Sequence, residues 1–345
     1  MGNKCIISQN LTVLDALKRI ASFKYGQLVL FVVDANERMV GTLTDGDVRR
    51  ALISGYKVED SISKVMSRNF NYIRKGDEIV SGLQHQRKLK MRLVAVLDDS
   101  NRIIDIINLE RYRTRLPIDA VIMAGGKGVR LRPLTERTPK PLLKVGNKAI
   151  IDYNVDRLID FGVQHINVTV NYLGEQIEQH YAEPRQGTKV KTFREREYWG
   201  TIGGIKIVDS FYNDTILVMN SDLFTNIDYE DFYLHFIKND ADLSVAAVPY
   251  SVNVPYGIFD LEGRNVKGIK EKPVYNYFAN AGIYLMKRSV LKNIPDGTFF
   301  NATDLIDKLI RIGGCVIRYP ITGYWIDIGS PAEYQKAKDI VDHII

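Results

Sequence analysis

The stretch "VIMAGGKGVRLRPLTERTPKPLLKVG", residues 121–146, couples an apolar run to a glycine-rich turn and then to a series of cations and prolines. With the Asp119 and Ala120 that precede it, it begins as a buried strand. Gly125, Gly126 and Gly128 remove side-chain bulk directly after that strand, so backbone N–H groups can face an anion. No Gly-Lys-Ser/Thr follows, so the turn is not a Walker loop. Leu131 stands where a dinucleotide fingerprint needs its third glycine. Arg130, Arg132 and Lys140 follow within twelve residues of Gly128. A guanidinium binds phosphate oxygens through paired donors, and these cations point to a polyphosphate ligand.

Downstream of the turn, apolar runs and helical patterns alternate: "IIDYNVDRLIDFG", "HINVTV", "EQIEQHYA", "TILVMN", "YEDFYLHFIKN", "LSVAAVP". Strands alternating with helices of this length predict a mostly parallel sheet covered on both faces. Residues 116–345 read as one large α/β domain whose ligands gather at the C-terminal ends of its strands.

Upstream the pattern differs. "FVVDANERMVGTL" (31–43) overlays "VAVLDDSNRIIDII" (94–107) about 64 residues later, each reading as strand, polar turn, strand. Helical patterns precede both copies, "TVLDALKRIASF" and "DEIVSGLQHQRKL". The expectation is two helix-strand-turn-strand-helix units, at about 1–58 and 59–115.

The chain has 345 residues, 45% of them hydrophobic and 26% charged, which is ample for two or three packed units. It opens with no basic-then-apolar signal pattern, and no apolar run reaches the roughly 18 residues of a membrane span, so a soluble, cytoplasmic protein with no membrane partner is expected. Cys5 and Cys315 are far apart and lack metal-ligand spacing. Residues 1–115 carry 20 basic against 13 acidic residues, and the remainder 27 against 28. The cluster "RKLKMR" (Arg87–Arg92) has neither interleaved aromatics nor a nucleic-acid module, which argues against a nucleic-acid partner. It reads as a solvated helix face, or second as a site for a small anion.

The N-terminal repeat resembles a tandem CBS domain pair, a regulatory module that often holds an adenine nucleotide. In "GTLTDGD", Gly41, Thr44 and Asp47 match the family's ribose-gripping pattern. Read by itself, Asp47 serves equally as an N-terminal helix cap before "VRRAL". In the second copy the matching positions are Asp105, Asn108 and Arg111, so at most one competent nucleotide site is expected.

The C-terminal domain resembles the sugar-1-phosphate nucleotidyltransferases, whose signature runs approximately G-G-x-G-x-R-L-x-P-L-T and then P-K-P-L-L-x-V. Gly125, Gly126, Gly128, Arg130, Leu131, Pro133, Leu134, Thr135, Pro139, Lys140 and Pro141 all match. The blocks "VNYLGEQI", "GTIGG", "NSDLF", "YGIFDLEGRNVKGIKEKP", "NAGIYLM" and "WIDIGSPAEY" follow in the family's order. The implied fold is a Rossmann-like, mostly parallel sheet with helices on both faces, of the nucleotide-diphospho-sugar transferase type. The implied reaction joins a sugar 1-phosphate to the α-phosphorus of a nucleoside triphosphate and expels pyrophosphate. Its nucleophile is already an ionised phosphate, so alignment and charge neutralisation suffice and no Ser/His or Cys/His pair is needed.

Residue by residue, the resemblance implies catalytic roles for Arg130, Lys140 and Lys272, and nucleotide contacts at Ala124, Gly125, Gly126 and Gly128. It implies magnesium, held by Asp222 and Asp327, a cation that commonly takes one or two carboxylates and leaves its other positions to phosphate and water. Sugar contacts fall at Gly257, Glu271, Asn280 and Gly282. The turn "REREYWGTIGG" resembles the base-recognition segment of mannose-1-phosphate guanylyltransferases through Glu195, Glu197, Gly200, Thr201 and Gly203, with Tyr198, Trp199 and Ile202 departing from it. A carboxylate accepts hydrogen bonds from both N1–H and the exocyclic amine of guanine, so GTP is expected, with Glu195 or Glu197 as reader. Thymidylyl or uridylyl transfer is the alternative, and a non-catalytic, nucleotide-sugar-sensing subunit another. Ala149 replaces a proline usual in the family. The CBS pair ahead of this domain resembles the guanylyltransferases of legionaminic acid pathways, leaving glucosamine, mannose and glucose 1-phosphate as candidate acceptors. A homo-oligomer is expected.

Overall fold

The computed structural model describes residues 2–23, 29–75 and 78–344. The chain divides into two compact units, Met1–Arg115 and Leu116–Ile345.

The first unit contains the same small fold twice. Strand Ile6–Ser8 runs parallel to Val29–Val33, which pairs antiparallel with Met39–Thr44. Strand Tyr72–Arg74 runs parallel to Leu93–Leu97, which pairs antiparallel with Ile103–Asn108. The 64-residue period persists in local detail. Asp34 Oδ1 accepts from the Asn36 and Arg38 amides, and Asp98 Oδ1 from those of Ser100 and Arg102. Glu37 and Asn101 take matching left-handed conformations, with φ of 62° in both. The ladder irregularity after Val32 recurs after Val96.

A helix precedes the central strand of each copy, Val13–Ala21 in the first and Ile79–Lys88 in the second. Asp77, within the second helical pattern, lies outside the described residues. Helix Asp45–Ile53 follows the third strand of the first copy and buries Val48 and Ala51. The second copy corrects the expectation of a matching closing helix: after Asn108 the chain makes only a turn. The Asn108 carboxamide accepts from the Glu110 and Arg111 amides, so the turn starts as a helix would. Where the first helix buries Val48 and Ala51, "RYRTRLP" then has Tyr112 and Arg115, and Pro117 cannot continue a helix.

In the second unit, a seven-stranded sheet runs in the order Val190–Arg194, His165–Val170, Ile118–Ala124, Thr215–Asn220, Val274–Lys287, Leu243–Asn253, Val316–Pro320. The first four strands are mutually parallel. Val274–Lys287 is antiparallel to both its neighbours, and Leu243–Asn253 is parallel to Val316–Pro320. All seven residues of Ile118–Ala124 are buried, as expected for a parallel strand covered on both faces. Val121, Ile216, Val218, Met286, Ile205 and Leu305 belong to one core cluster that joins the central strands to the segments covering them.

This order places a topological switch point between Ile118–Ala124 and Thr215–Asn220, where parallel α/β sheets open a crevice. The glycine-rich turn leaves the first of these strands and "NSD" ends the second. The antiparallel strand brings Gly282 to the same end, since Ile283 pairs with Met219. Beyond the sheet, the outer parts of Leu243–Asn253 and Val274–Lys287 and the hairpin Ile258–Glu262/Asn265–Lys270 form a largely exposed arm.

Candidate active site

A cleft of about 320 Å³ opens at the switch point, lined among others by Gly125, Gly126, Gly128, Arg130, Lys140, Glu195, Gly200, Thr201, Asp222 and Asp327. Positions as far apart as 125 and 327 thus face one volume. Gly128 adopts φ 61°, and a Cβ there would stand 3.1 Å from both Lys140 Cβ and Thr135 Cγ2. Glycine is needed on both counts, backbone conformation and room. The Thr135 hydroxyl donates to the Gly128 carbonyl at 2.8 Å and fixes the turn. Ala124, which ends the strand, is buried and does not line the cleft.

The two aspartates are held by one small sheet. Strand Leu223–Thr225 pairs antiparallel with Trp325–Asp327, with Leu223 opposite Asp327, and the Ile328 amide donates to the Asp222 carbonyl at 3.0 Å. Lys140, only 9% exposed, forms an ion pair with Asp222 through Oδ2, and its Nζ lies 3.9 Å from Asp327 Oδ1. Asp222 Oδ1 is buried and has no partner. Burial raises the Asp327 carboxyl above the ordinary range and the charge of Asp222 raises it further, while Lys140 and Arg130 pull the other way. Two repelling carboxylates, one with an unpartnered buried oxygen, fit a hard divalent cation that completes its shell with phosphate and water. No cluster of three or more metal-ligating side chains occurs among the described residues.

Arg130 is exposed at the mouth of the cleft, above Gly329. A Cβ at Gly329 would stand 2.9 Å from the Arg130 guanidinium, so this glycine gives the side chain its seat.

The structure separates the two glutamates. Glu195 is 2% exposed, lines the cleft and accepts the Trp199 amide at 3.1 Å. Burial raises its carboxyl, against the opposing effect of hydrogen bonds from Trp199 and Thr169. Glu197 is exposed and does not line the cleft. Gly200 takes φ 81°, and a Cβ would come within 2.6 Å of the Phe300 carbonyl. The Thr201 hydroxyl accepts the Ala302 amide at 2.9 Å, at the start of helix Ala302–Arg311.

A second cleft, about 280 Å³, shares Thr201, Asn220 and Asp327 with the first and adds Asn280, Gly282, Tyr284, Asn301 and Trp325. Asn280 donates to the Tyr284 hydroxyl at 2.9 Å and accepts the Gly282 amide at 2.9 Å. Gly257, Glu271 and Lys272 are not brought to either cleft. They sit on the exposed arm, where a Cβ on Gly257 would stand 2.9 Å from Glu271 Oε2. Sequence reasoning gave no role to Asn220, Ser221 or Asn301, read Trp325 and Gly329 only as fixing the turn at Asp327, and read Tyr198 only as a departure beside the base pocket; each of the six lines at least one of the clefts. Asn220 and Ser221 carried a legible signal, being polar residues at the end of an apolar strand; Asn301 carried none.

In the first unit, Thr44 and Asp47 form a reciprocal cap on helix Asp45–Ile53. Asp47 Oδ2 accepts from the Thr44 amide and hydroxyl at 2.8 and 2.7 Å, and the Asp47 amide donates to Thr44 Oγ1. Arg50 pairs with the other Asp47 oxygen. Gly41 packs against Met66 and the Ser67 carbonyl, leaving no room for a Cβ. In the second copy Asp105 forms an ion pair with Arg115.

Residues 119–343 match the model of the nucleotidyl transferase family, and residues 3–54 that of the CBS domain. Mannose-1-phosphate guanylyltransferase of Mycobacterium tuberculosis is 29% identical over 227 residues, covering 64% of this chain and 63% of that protein. The bifunctional protein GlmU of Methanocaldococcus jannaschii is 30% identical over 235 residues, 66% of this chain and 55% of that protein. The match thus spans less than two thirds of these relatives. The crystal structure of HddC from Yersinia pseudotuberculosis complexed with GMP-PN superposes with a TM-score of 0.50 at 27% identity, covering 65% of this chain and 99% of that one. With its glycine-rich turn, cations and paired aspartates on one cleft, and with the family model matched across nearly the whole second unit, this chain belongs to the nucleotidyl transferase family.

Proposed function

We propose that residues 116–345 transfer a nucleotidyl group, GMP from GTP, to a sugar 1-phosphate and release pyrophosphate. The observation that carries this reading is the convergence of Lys140, Asp222 and Asp327 beside the glycine-rich turn, with Asp222 Oδ1 unpartnered. Asp222 and Asp327 would hold magnesium, which when bound supplies positive charge to the phosphates of both substrates. The backbone of Gly125–Gly128 would receive the triphosphate, while Arg130 and Lys140 neutralise it. The sugar phosphate is itself the nucleophile, so these residues need to align it with the α-phosphorus and absorb the charge of the departing pyrophosphate.

Guanine is favoured by the buried Glu195 and by the names of the relatives: the mycobacterial protein is a guanylyltransferase, and the Yersinia structure holds GMP-PN. The adjoining cleft around Asn280 and Gly282 would take the sugar, with Lys272 and Glu271 approaching from the arm. Glucosamine, mannose and glucose 1-phosphate remain its candidates. Residues 1–115 would act as a regulatory module that takes an adenine nucleotide at Gly41, Thr44 and Asp47. The test is a matrix of GTP, dTTP, UTP, CTP and ATP against the three sugar phosphates, scored by magnesium-dependent pyrophosphate release. Release with GTP above the others is expected; release with no pair would leave a sensing subunit as the better reading.

A further inference from the structure

Helix Ile150–Asp160 packs beside the candidate site, and one of its residues suits neither the helix nor its buried surroundings. Asn154 lies in the helix interior and is 1% exposed, among the buried Ile150, Ile151, Val155 and Leu158. Asparagine is a weak helix former. Its Oδ1 is buried and has no partner, an arrangement that costs about 1–3 kcal/mol. Its Nδ2 makes one bond, to the Leu223 carbonyl at 2.8 Å.

That carbonyl has a particular place. Leu223 follows Asp222 and opposes Asp327 in the two-stranded sheet that carries both carboxylates. The sheet is closed on one side by the Ile328 amide bonding the Asp222 carbonyl. The next carbonyl along an antiparallel strand faces the opposite way, toward the free edge, and there Asn154 meets it. The preceding residue, Tyr153, sets its ring edge-on to Phe224 at 5.1 Å and donates its hydroxyl to the Val145 carbonyl at 2.7 Å. The first helical amide, Ile150, donates to the Leu143 carbonyl at 2.9 Å, just after the turn that carries Lys140. One helix thus grips the Lys140 segment and the Asp222 strand together.

We propose that Asn154 is a positioning residue for the carboxylate pair: its single hydrogen bond to Leu223 sets the strand that aims Asp222 at a divalent cation. The inference rests on the nucleotidyltransferase reading for what the pair holds. Its purpose accounts for a buried amide where a leucine would only exchange the orphaned Asn154 oxygen for an orphaned Leu223 carbonyl.

The test compares the full chain with Asn154→Leu and Asn154→Asp, with Mn²⁺ as the probe. Mn²⁺ affinity is read by electron paramagnetic resonance in the presence of a non-hydrolysable GTP analogue, and thermal midpoints are read in parallel. Asn154→Leu is expected to weaken Mn²⁺ binding about tenfold while its midpoint stays close to that of the wild type, since one orphaned buried oxygen replaces another. Half-saturation by Mg²⁺ in turnover should rise by the same factor, with kcat at saturating Mg²⁺ within about threefold of wild type. If the leucine variant does not fold, Asn154→Asp decides, since it keeps the size and replaces the donor with an acceptor. Unchanged Mn²⁺ affinity in a folded variant, or a loss that only follows a falling midpoint, would overturn the proposal. A wild-type chain that binds Mn²⁺ yet releases no pyrophosphate would remove the catalytic reading and still leave this comparison decisive. A wild-type chain that binds no Mn²⁺ would overturn both.

Discussion

Glu195 and Glu197 show what a residue's chemistry leaves open until its surroundings are known. Two carboxylates one residue apart on either side of Arg196 match the same segment, and either could read a base. Burial against the cleft wall distinguishes Glu195, and Gly204 is part of the reason: a Cβ there would stand 2.4 Å from Glu195 Oε1. The placement predicts a pH effect. Glu195 is raised by burial, so on acidification it takes up a proton earlier than an ordinary glutamate and ceases to accept two hydrogen bonds. The KM for GTP should therefore climb as the pH falls toward the upper carboxylate range. Glu195→Gln should show a higher KM with that dependence removed. An unchanged pH profile in the glutamine variant would return the base contact to another residue. Lys272 marks a harder case, because its neighbours in sequence are legible but its position on an exposed arm follows from tertiary structure alone.

At the scale of elements, helix Ile150–Asp160 is pinned from outside as well as from the site. Asp156 takes hydrogen bonds from Arg185 at 2.5 and 2.9 Å and from Lys148 at 2.7 Å, while Asp152 takes His180 and Tyr181 at 2.9 and 3.0 Å. Burial pushes the Asp156 carboxyl up, but the bonds and charges of Arg185 and Lys148 outweigh it and hold it below the ordinary range. A depressed carboxyl stabilises the fold fully above its unfolded pKa, about 3.9, and that contribution fades as the pH falls through the lower folded value. Asp156→Asn should cost about 2 kcal/mol at pH 7, since it removes the charge that Arg185 and Lys148 bond while Arg185 keeps Asp152 at 3.2 Å. The deficit should narrow below about pH 4, where the wild type loses the same charge; urea titrations at both pH values measure it. A deficit independent of pH would mean that packing, not charge, anchors the helix.

The elements themselves were largely readable. Fully apolar runs ending in glycine or in "NSD" marked the central parallel strands, because burial on both faces leaves no alternation to confuse with a surface strand. The antiparallel direction of Val274–Lys287 was not readable: strand direction depends on where the chain returns, and the long exposed arm between Leu243 and Lys287 determines that. The absent closing helix of the second repeat has a different origin: where the first copy buries Val48 and Ala51, the second has Tyr112 and Arg115.

For the molecule as a whole, the 64-residue period was legible because the polar turn between the paired strands needs an aspartate acceptor and a left-handed residue at fixed offsets, and both copies keep them. What Thr44 and Asp47 do was not, since the residues that match a ribose grip also form the helix cap. Thr44→Ala should lower the stability of the first unit by about 1 kcal/mol through the cap alone. Adenine nucleotide, added to the full chain, should raise its thermal midpoint if the site is competent, and Asp47→Ala should abolish that rise. No rise with AMP, ADP or ATP in the wild type would leave the box a cap only.

If Asp222 and Asp327, with Lys140 between them, hold magnesium as proposed, nucleotidyl transfer depends on the metal and on both carboxylates. Steady-state pyrophosphate release from GTP and a sugar 1-phosphate, titrated with Mg²⁺ in wild type, Asp222→Ala and Asp327→Ala, tests it most directly. Saturable Mg²⁺ dependence is expected in wild type, with a loss of at least about a hundredfold, about 2.7 kcal/mol of barrier, in each folded variant. Turnover near the wild-type rate in either variant, or release indifferent to Mg²⁺, would contradict it.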